Sequence, residues 1–175
     1  IKEQVKYALD SMKIINEWVI EKKSSVHGKG LFARKTIPKG TQVIEYVGEK
    51  ITKVEAEKRG GKQYEQGEKG HEGHVYLFEL NKRYDIDGNV SWNPARLINH
   101  SCNPNCDTCN DKGHIWIEAL KTIKEGEELS YNYGYGWDKD FVDHPCKCGS
   151  NNCIGYILDK KYWRKVKKFL TNNRK

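Results

Sequence analysis

No run of apolar residues in this 175-residue chain approaches the roughly 18 needed to cross a bilayer, which argues against a membrane-spanning helix. There is no internal repeat, so solenoid and array architectures are set aside too. Nor do basic and aromatic residues interleave as they do in nucleic-acid recognition modules, which leaves nucleic acid a secondary partner. Hydrophobic content is modest at 37%, yet five Trp, ten Tyr and four Phe are enough to build a core. The length suits one domain, or one domain with short extensions. An excess of 31 Lys and Arg over 24 Asp and Glu gives a formal charge of +7 and a basic surface. The chain opens on Ile1 and not on Met, so a trimmed N-terminus is expected and a targeting segment is left open.

The six cysteines are not spread as a disulfide framework would spread them. They cluster, and a chain of this size does not need staples, so reduced thiols with some metal binding is the reading. "CKCGSNNC" places Cys146, Cys148 and Cys153 as C-x-C-x4-C around a tight Gly-Ser-Asn-Asn turn. Three such thiolates can share a Zn(II), but a structural site wants four ligands. "HSCNPNC", more than forty residues upstream, offers Cys102 and Cys106 as the fourth, with Cys109 a weaker third choice. Buried, unligated thiols are the plain alternative, above all for Cys106 and Cys109, whose C-x-x-C spacing is a decoy in that case.

Local patterns predict a mostly β, Gly-rich domain with few short helices. Ile1, Val5, Leu9, Met12 and Ile15 recur at helical spacing, which predicts an amphipathic helix over residues 1–22. Strand candidates are the flanks of "SSVHGKGLFARKTIPKG", "QVIEYVGE" (42–49), "VYLFEL" (75–80), "RYDID" (83–87) and "IWIEAL" (115–120), with turns at Asp87-Gly88 and Lys112-Gly113. Thr52 and Glu55 form a capping box that opens a short helix, expected to stop at Gly60-Gly61 and to give way to a polar loop. A basic helix is predicted from residue 159 to the end. The densest polar stretch is "RLINHSCNPNC", Arg96 to Cys106, poor core material unless each buried group finds a partner.

Taken in order, "VHGKGLFA", "EYVG", "VYLFEL", "RLINHSCNPNC", "GEELSYNY" and "CKCGSNNC" resemble the SET-domain protein lysine methyltransferases with a post-SET zinc motif. The resemblance covers about residues 23–158. It departs from the family in two places: no Cys-rich cluster precedes residue 26, and the insert at roughly 51–74 maps to no known substrate. It implies a β-clip fold in which the "NHS" segment and the tail after "SYNY" thread into a knot-like arrangement. The implied organisation is an N-terminal helix (1–22), a SET domain (23–140), a post-SET zinc segment (141–158) and a basic C-terminal helix (159–175).

The same resemblance implies an S-adenosylmethionine-dependent enzyme that methylates lysine, mainly to the monomethyl form, on a histone tail or another basic protein. His27, Gly28, Lys29 and Gly30 match the cofactor loop; Arg96, Asn99 and His100 match the segment that grips the cofactor, and Tyr156 an aromatic that covers it. Tyr133 matches the catalytic tyrosine, Tyr131 a neighbour that influences product, and Tyr76 a channel tyrosine. Cys102 matches the fourth zinc ligand beside Cys146, Cys148 and Cys153. Tyr7, Tyr64 and Tyr162 are read as packing residues, and His71, His74, His114 and His144 as loop or surface histidines. The implied compartment is intracellular and reducing: the nucleus in a eukaryote, otherwise the cytoplasm or a host cell. Two rival readings are a catalytically idle SET-like peptide-binding module and a zinc-stabilised nucleic-acid binder; oligomeric state is open.

Overall fold

The computed structural model describes residues 13–68, 75–138 and 141–172. It is mostly β, as expected, with eleven short strands and two α-helices among the described residues. Two compact units share the chain discontinuously. The first takes residues up to Thr41, Leu97–Asp107 and everything from Ala119 onward; the second takes Gln42–Arg96 and Thr108–Glu118.

In the first unit, β1 (Lys13–Ile14), β2 (Val19–Lys23) and β3 (Lys29–Ala33) form an antiparallel sheet with Val19 opposite Ala33 and Glu21 opposite Leu31. This corrects the helix expected over 1–22 for its described part; residues 1–12 lie outside the described residues. The cause is local. Asn16 Oδ1 accepts hydrogen bonds from the backbone N–H groups of Trp18 (2.8 Å) and Val19 (2.9 Å), a turn that competes with helix. The β-branched pair Val19-Ile20 then enters the ladder. Leu31, Ile37, Ile98, Ile123 and Leu129, each at most 1% exposed, are core residues of this unit. Two short segments far apart in sequence, β8 (Asn99–His100) and β11 (Ser130–Tyr131), pair in parallel within this unit.

The C-terminal part of the same unit has its own apolar cluster: Cys102, Phe141, Ile154, Leu158 and Val166. Trp137 stacks on Phe141 at 4.7 Å between centroids. A 3-10 turn at Lys160–Tyr162, capped by Asp159, leads into α2 (Trp163–Asn172). The basic helix predicted from residue 159 is therefore present as far as it is described.

The second unit holds most of the sheets β4–β10–β9 and β5–β7–β6, from β4 (Gln42–Tyr46), β5 (Glu49–Thr52), β6 (Leu77–Glu79), β7 (Tyr84–Asp87), β9 (Cys106–Asp111, in this unit from Thr108) and β10 (His114–Ala119, in this unit to Glu118). β9, which the pattern did not predict, turns into β10 at Lys112-Gly113, both with positive φ (51° and 91°), the conformation of a tight hairpin. Thr52 opens α1 (Lys53–Glu68), its hydroxyl accepting the Glu55 N–H at 3.3 Å. This helix runs straight through Gly60-Gly61 instead of stopping there. Its side chains are anchored on either side of the glycines: Arg59 reaches Glu49 (2.7 Å), Glu55 (2.9 Å) and Asp87 (2.9 Å). Buried Gln63 donates to Asp87 (3.1 Å) and accepts the Tyr76 N–H (2.9 Å). Those tertiary contacts outweigh a glycine penalty of about 1 kcal/mol per residue.

Two glycines test this arrangement in opposite directions. At Gly61 an added Cβ meets nothing within 4 Å, so Gly61→Ala should raise stability by about 1 kcal/mol, or roughly 2–4 °C in Tm. At Gly48 an added Cβ would overlap the backbone carbonyl of Asp87, which cannot step aside. Gly48→Ala should therefore lower stability by at least about 2 kcal/mol. Thermal unfolding of the two variants reads both; a destabilised Gly61→Ala would mean that the helix ends earlier.

Candidate active site and metal centre

The polar density of Arg96–Cys106 resolves into side-chain-to-backbone staples within the first unit. Parallel pairing with β11 sets Asn99 opposite Ser130 and His100 opposite Tyr131. The buried Asn99 amide group donates to the carbonyl oxygens of His27 (3.3 Å) and Lys29 (3.2 Å) and to Glu128 Oε1 (2.8 Å). Glu128 also accepts from the Ser24 hydroxyl at 2.7 Å, and that hydroxyl accepts the Val26 N–H at 2.9 Å. The loop from Ser24 to Gly30 is thus clamped at both ends by one amide and one carboxylate. Gly28 takes a left-handed φ of 46° in this loop. Gly30 leaves room for the clamp, because a Cβ there would overlap Glu128 Oε1 and come within 3.3 Å of the Asn99 amide nitrogen. The Lys29 side chain turns to Glu21.

A second staple sits one turn further on. Asn105 donates to the Glu128 carbonyl (2.8 Å) and accepts the Ser130 N–H (2.8 Å), fixing the entry to β11. Ser24, Asn105 and Glu128 were all missed in the sequence. Glu128 stands inside "GEELSYNY", but its partners are 29 and 104 residues away, and no local pattern encodes them.

His100 connects the tyrosines to the cysteines. Its Nδ1 accepts the Tyr133 N–H at 3.2 Å, while its Nε2 lies 3.6 Å from Cys102 Sγ. Burial holds the imidazole well below its ordinary value, at about 4, so it is neutral near pH 7. With Nδ1 accepting, the proton sits on Nε2 and points at sulfur. The Tyr133 hydroxyl donates to the Ile98 carbonyl at 3.0 Å. Its ring lies 5.0 Å from Tyr131 and 6.0 Å from Tyr135, and Tyr131 is buried.

Tyr76 and Arg96 belong to the second unit. There the Arg96 guanidinium lies 5.6 Å over the Tyr76 ring. The Tyr76 backbone is held by Gln63 on its N–H and by the Tyr46 hydroxyl (2.9 Å) and Gly88 N–H (2.9 Å) on its carbonyl. Tyr156 packs edge-on against Phe141 at 5.1 Å, in the C-terminal apolar cluster. His114 is exposed and paired with Glu45 at 2.7 Å; His71 and His74 lie outside the described residues.

Cys102, Cys146, Cys148 and Cys153 come together, with all four sulfur atoms within 4.8 Å of one another. Cys102 Sγ lies 3.8 Å from both Cys146 Sγ and Cys153 Sγ. That is too long for a disulfide, whose sulfurs sit about 2.05 Å apart. It equals the edge of a tetrahedron with metal–sulfur distances of about 2.3 Å, the geometry of a zinc site built from four cysteines. Backbone N–H groups of Cys102 and Gly155 point at Cys148 Sγ (3.5 Å) and Cys153 Sγ (3.4 Å), as thiolate ligands require. Burial pushes the Cys102 thiol up to about 12. Burial acts the same way on Cys148, but donation from the Cys102 N–H and from Ser150 outweighs it and brings that thiol down to about 6. The all-sulfur donor set therefore fits Zn(II). Cys106 is fully buried outside this group, with its thiol pushed up to about 12 by burial, and behaves as a small apolar residue.

Comparison with known proteins gives a consistent picture. Residues 28–134 match the family model of the SET domain. Histone-lysine N-methyltransferase 2D of Homo sapiens is 38% identical over 148 residues, covering 81% of this chain and 3% of that protein. Histone-lysine N-methyltransferase trr of Drosophila melanogaster is 39% identical over 148 residues, covering 81% of this chain and 6% of that protein. A histone-lysine N-methyltransferase of Mycosarcoma maydis, described as H3 lysine-4 specific, is 41% identical over 141 residues, covering 77% of this chain and 9% of its own length. The chain thus spans less than a tenth of the length of these relatives.

If the four thiols hold zinc, the purified chain should carry one zinc per molecule by elemental analysis. Serine at any of Cys102, Cys146, Cys148 or Cys153 should lose it and loosen the segment after residue 141. Cys106→Ser should keep it. Loss of the metal in Cys106→Ser, or folded metal-free wild type, would refute this ligand set.

Proposed function

The chain belongs to the SET-domain family, and on that premise we propose that it is an S-adenosylmethionine-dependent protein-lysine N-methyltransferase. Its product is mainly monomethyl-lysine, and its substrate a histone tail or another lysine-bearing basic protein. The observation that carries this reading is the Asn99–Glu128 clamp. It makes the Ser24–Gly30 loop and the Ser130–Tyr131 strand that leads to Tyr133 parts of one hydrogen-bonded assembly, so a methyl donor on the loop and an amine beside the tyrosines would be held in register.

The residues fit that cofactor by their donor set. Glycine backbone at 28 and 30 permits close approach, the Asn99 amide oxygen can accept a hydrogen bond, and the loop's lysine is turned away to Glu21. S-adenosylmethionine, when bound, supplies an electrophilic methyl group on a sulfonium. His27, Gly28, Lys29 and Gly30, with Asn99 and His100, are the residues we assign to holding it, and Tyr156 to covering it.

Methyl transfer to an amine is an in-line displacement, so most of the protein's work is alignment. A free lysine titrates near 10.4, so well under ~1% is neutral near pH 8. Tyrosine-lined, desolvated surroundings favour the neutral amine. The Tyr133 hydroxyl donates its hydrogen to the Ile98 carbonyl, and a phenol oxygen that donates in this way can also accept, and thereby orient, an N–H of the lysine. A tyrosine that already donates its proton to a carbonyl is a positioning acceptor and not a general base. Neutral His100 pins the backbone of Tyr133 from behind. In this scheme Tyr131 fills the space a methylated amine would need. Thiolate ligation suits a reducing compartment, hence an intracellular enzyme, nuclear where the cell is eukaryotic.

Incubating the chain with S-adenosylmethionine and a protein or peptide array, read by mass spectrometry, tests the activity and names the substrate. On that substrate, Tyr133→Phe should lower turnover by at least about tenfold with cofactor affinity nearly intact. Tyr131→Phe should keep most of the rate and shift product towards di- and trimethyl-lysine. Intact-mass kinetics separates the two. Full turnover by Tyr133→Phe, or early trimethyl-lysine from the wild type, would remove the corresponding assignment.

A further inference from the structure

The positive charge of this chain is not spread over its surface. After residue 158 there are eight Lys and Arg (160, 161, 164, 165, 167, 168, 174 and 175) against the single Asp159. That difference equals the whole formal charge of +7, so residues 1–158 are balanced. Six of the eight lie on the 3-10 turn and α2, and all six are exposed. Only Lys161 has an ion-pair partner among the described residues, Asp159 at 2.8 Å.

The helix that carries them is anchored by its other face. Val166 is fully buried, Phe169 meets Phe141 edge-on at 5.4 Å, and the Lys165 ammonium sits 4.1 Å over the Trp137 ring. Arg164 and Lys168, one turn apart, stand opposite Val166, with Lys167 beside them. A row of cations is thus held on a rigid support about 15 Å long. Repulsion among them opposes folding of the helix, and no acidic side chain on α2 relieves it.

We propose that the exposed face of α2 is a docking surface for the phosphate backbone of duplex DNA. Charge complementarity selects a polyanion, since a duplex presents one negative charge per about 1.7 Å of axis and a 15 Å row of cations faces several of them. The burial pattern selects among polyanions. A helix that lies in a membrane surface turns its apolar face to lipid, whereas the apolar face of α2 is spent on Phe141 and its neighbours. Single strands are held by aromatic platforms, whereas Trp163 and Trp137 are covered by Lys160 and Lys165. What remains is sequence-independent contact with backbone phosphates. This surface is separate from the clamp and the tyrosines, and the inference stands whether or not the chain methylates lysine.

Fluorescence anisotropy with the whole 175-residue chain and a labelled duplex of about 20 base pairs tests it, across salt from about 50 to 200 mM. The expected result is saturable, sequence-independent binding with a log–log salt slope of about −4. The triple variant Arg164→Gln, Lys167→Gln, Lys168→Gln keeps helix propensity and, with less repulsion along α2, should keep or slightly raise Tm. It should bind at least about tenfold more weakly, with the slope reduced by about 3. The pair Lys121→Gln, Lys124→Gln, exposed elsewhere, should bind like wild type. No binding at about 50 mM salt, or unchanged binding by the triple variant, would overturn the proposal. Tighter binding to single-stranded DNA or to phosphatidylserine-containing vesicles than to the duplex would also overturn it.

Discussion

A single buried amide holds the first unit together. Asn99 donates to two carbonyl groups of the Ser24–Gly30 loop, about seventy residues earlier in the chain, and to Glu128, which sits just before the tyrosine strand. In water such bonds would exchange freely; inside, each is costly to leave unmade, because an unpaired buried donor costs about 1–3 kcal/mol. The carboxylate makes two of the bonds charge-assisted and correspondingly stronger. Three segments with no sequence proximity are thereby forced into one geometry, and the glycine at position 30 is the space in which it happens.

The four cysteines extend the same logic to the C-terminus. The cluster of Phe141, Ile154, Leu158 and Val166 is small, and Cys102 is the member that belongs to the central polar segment. Four thiols at tetrahedral separations are poor hydrophobic packing but a good cage for Zn(II), whose charge deprotonates its ligands outright. Neutral His100, between Cys102 and Tyr133, ties this cage to the tyrosines. Cysteine cluster, tyrosines and loop then share one hydrogen-bonded path, a reason for so many polar groups to crowd into Arg96–Cys106.

How much of this was legible depends on distance along the chain. The trio Cys146, Cys148 and Cys153 could be read because eight residues contain it, and the Lys112-Gly113 hairpin because two residues do. The fourth thiol lies 44 residues from Cys146, and spacing alone left Cys102 and Cys106 open. The mostly β class came from local strand and turn patterns, whereas the β-clip and the tyrosine candidates came through resemblance in ordered motifs. Ser24 and Glu128 were invisible because 104 residues separate two atoms that bond. Gly60-Gly61 misled because Arg59 and Gln63 override local propensity. The apolar spacing near the N-terminus misled at Asn16, whose side chain caps a turn that a helical period does not register.

The clamp would organise the loop assigned above to S-adenosylmethionine, and the sharpest test of that assignment removes its carboxylate. Glu128→Ala leaves every residue assigned to cofactor contact, tyrosine and cysteine in place. Calorimetric titration with S-adenosylmethionine should show affinity at least about tenfold weaker, equivalent to about 1.4 kcal/mol, with zinc content and far-UV circular dichroism unchanged. Wild-type affinity in that variant would contradict the account, since the loop would then hold its cofactor-binding shape without Glu128.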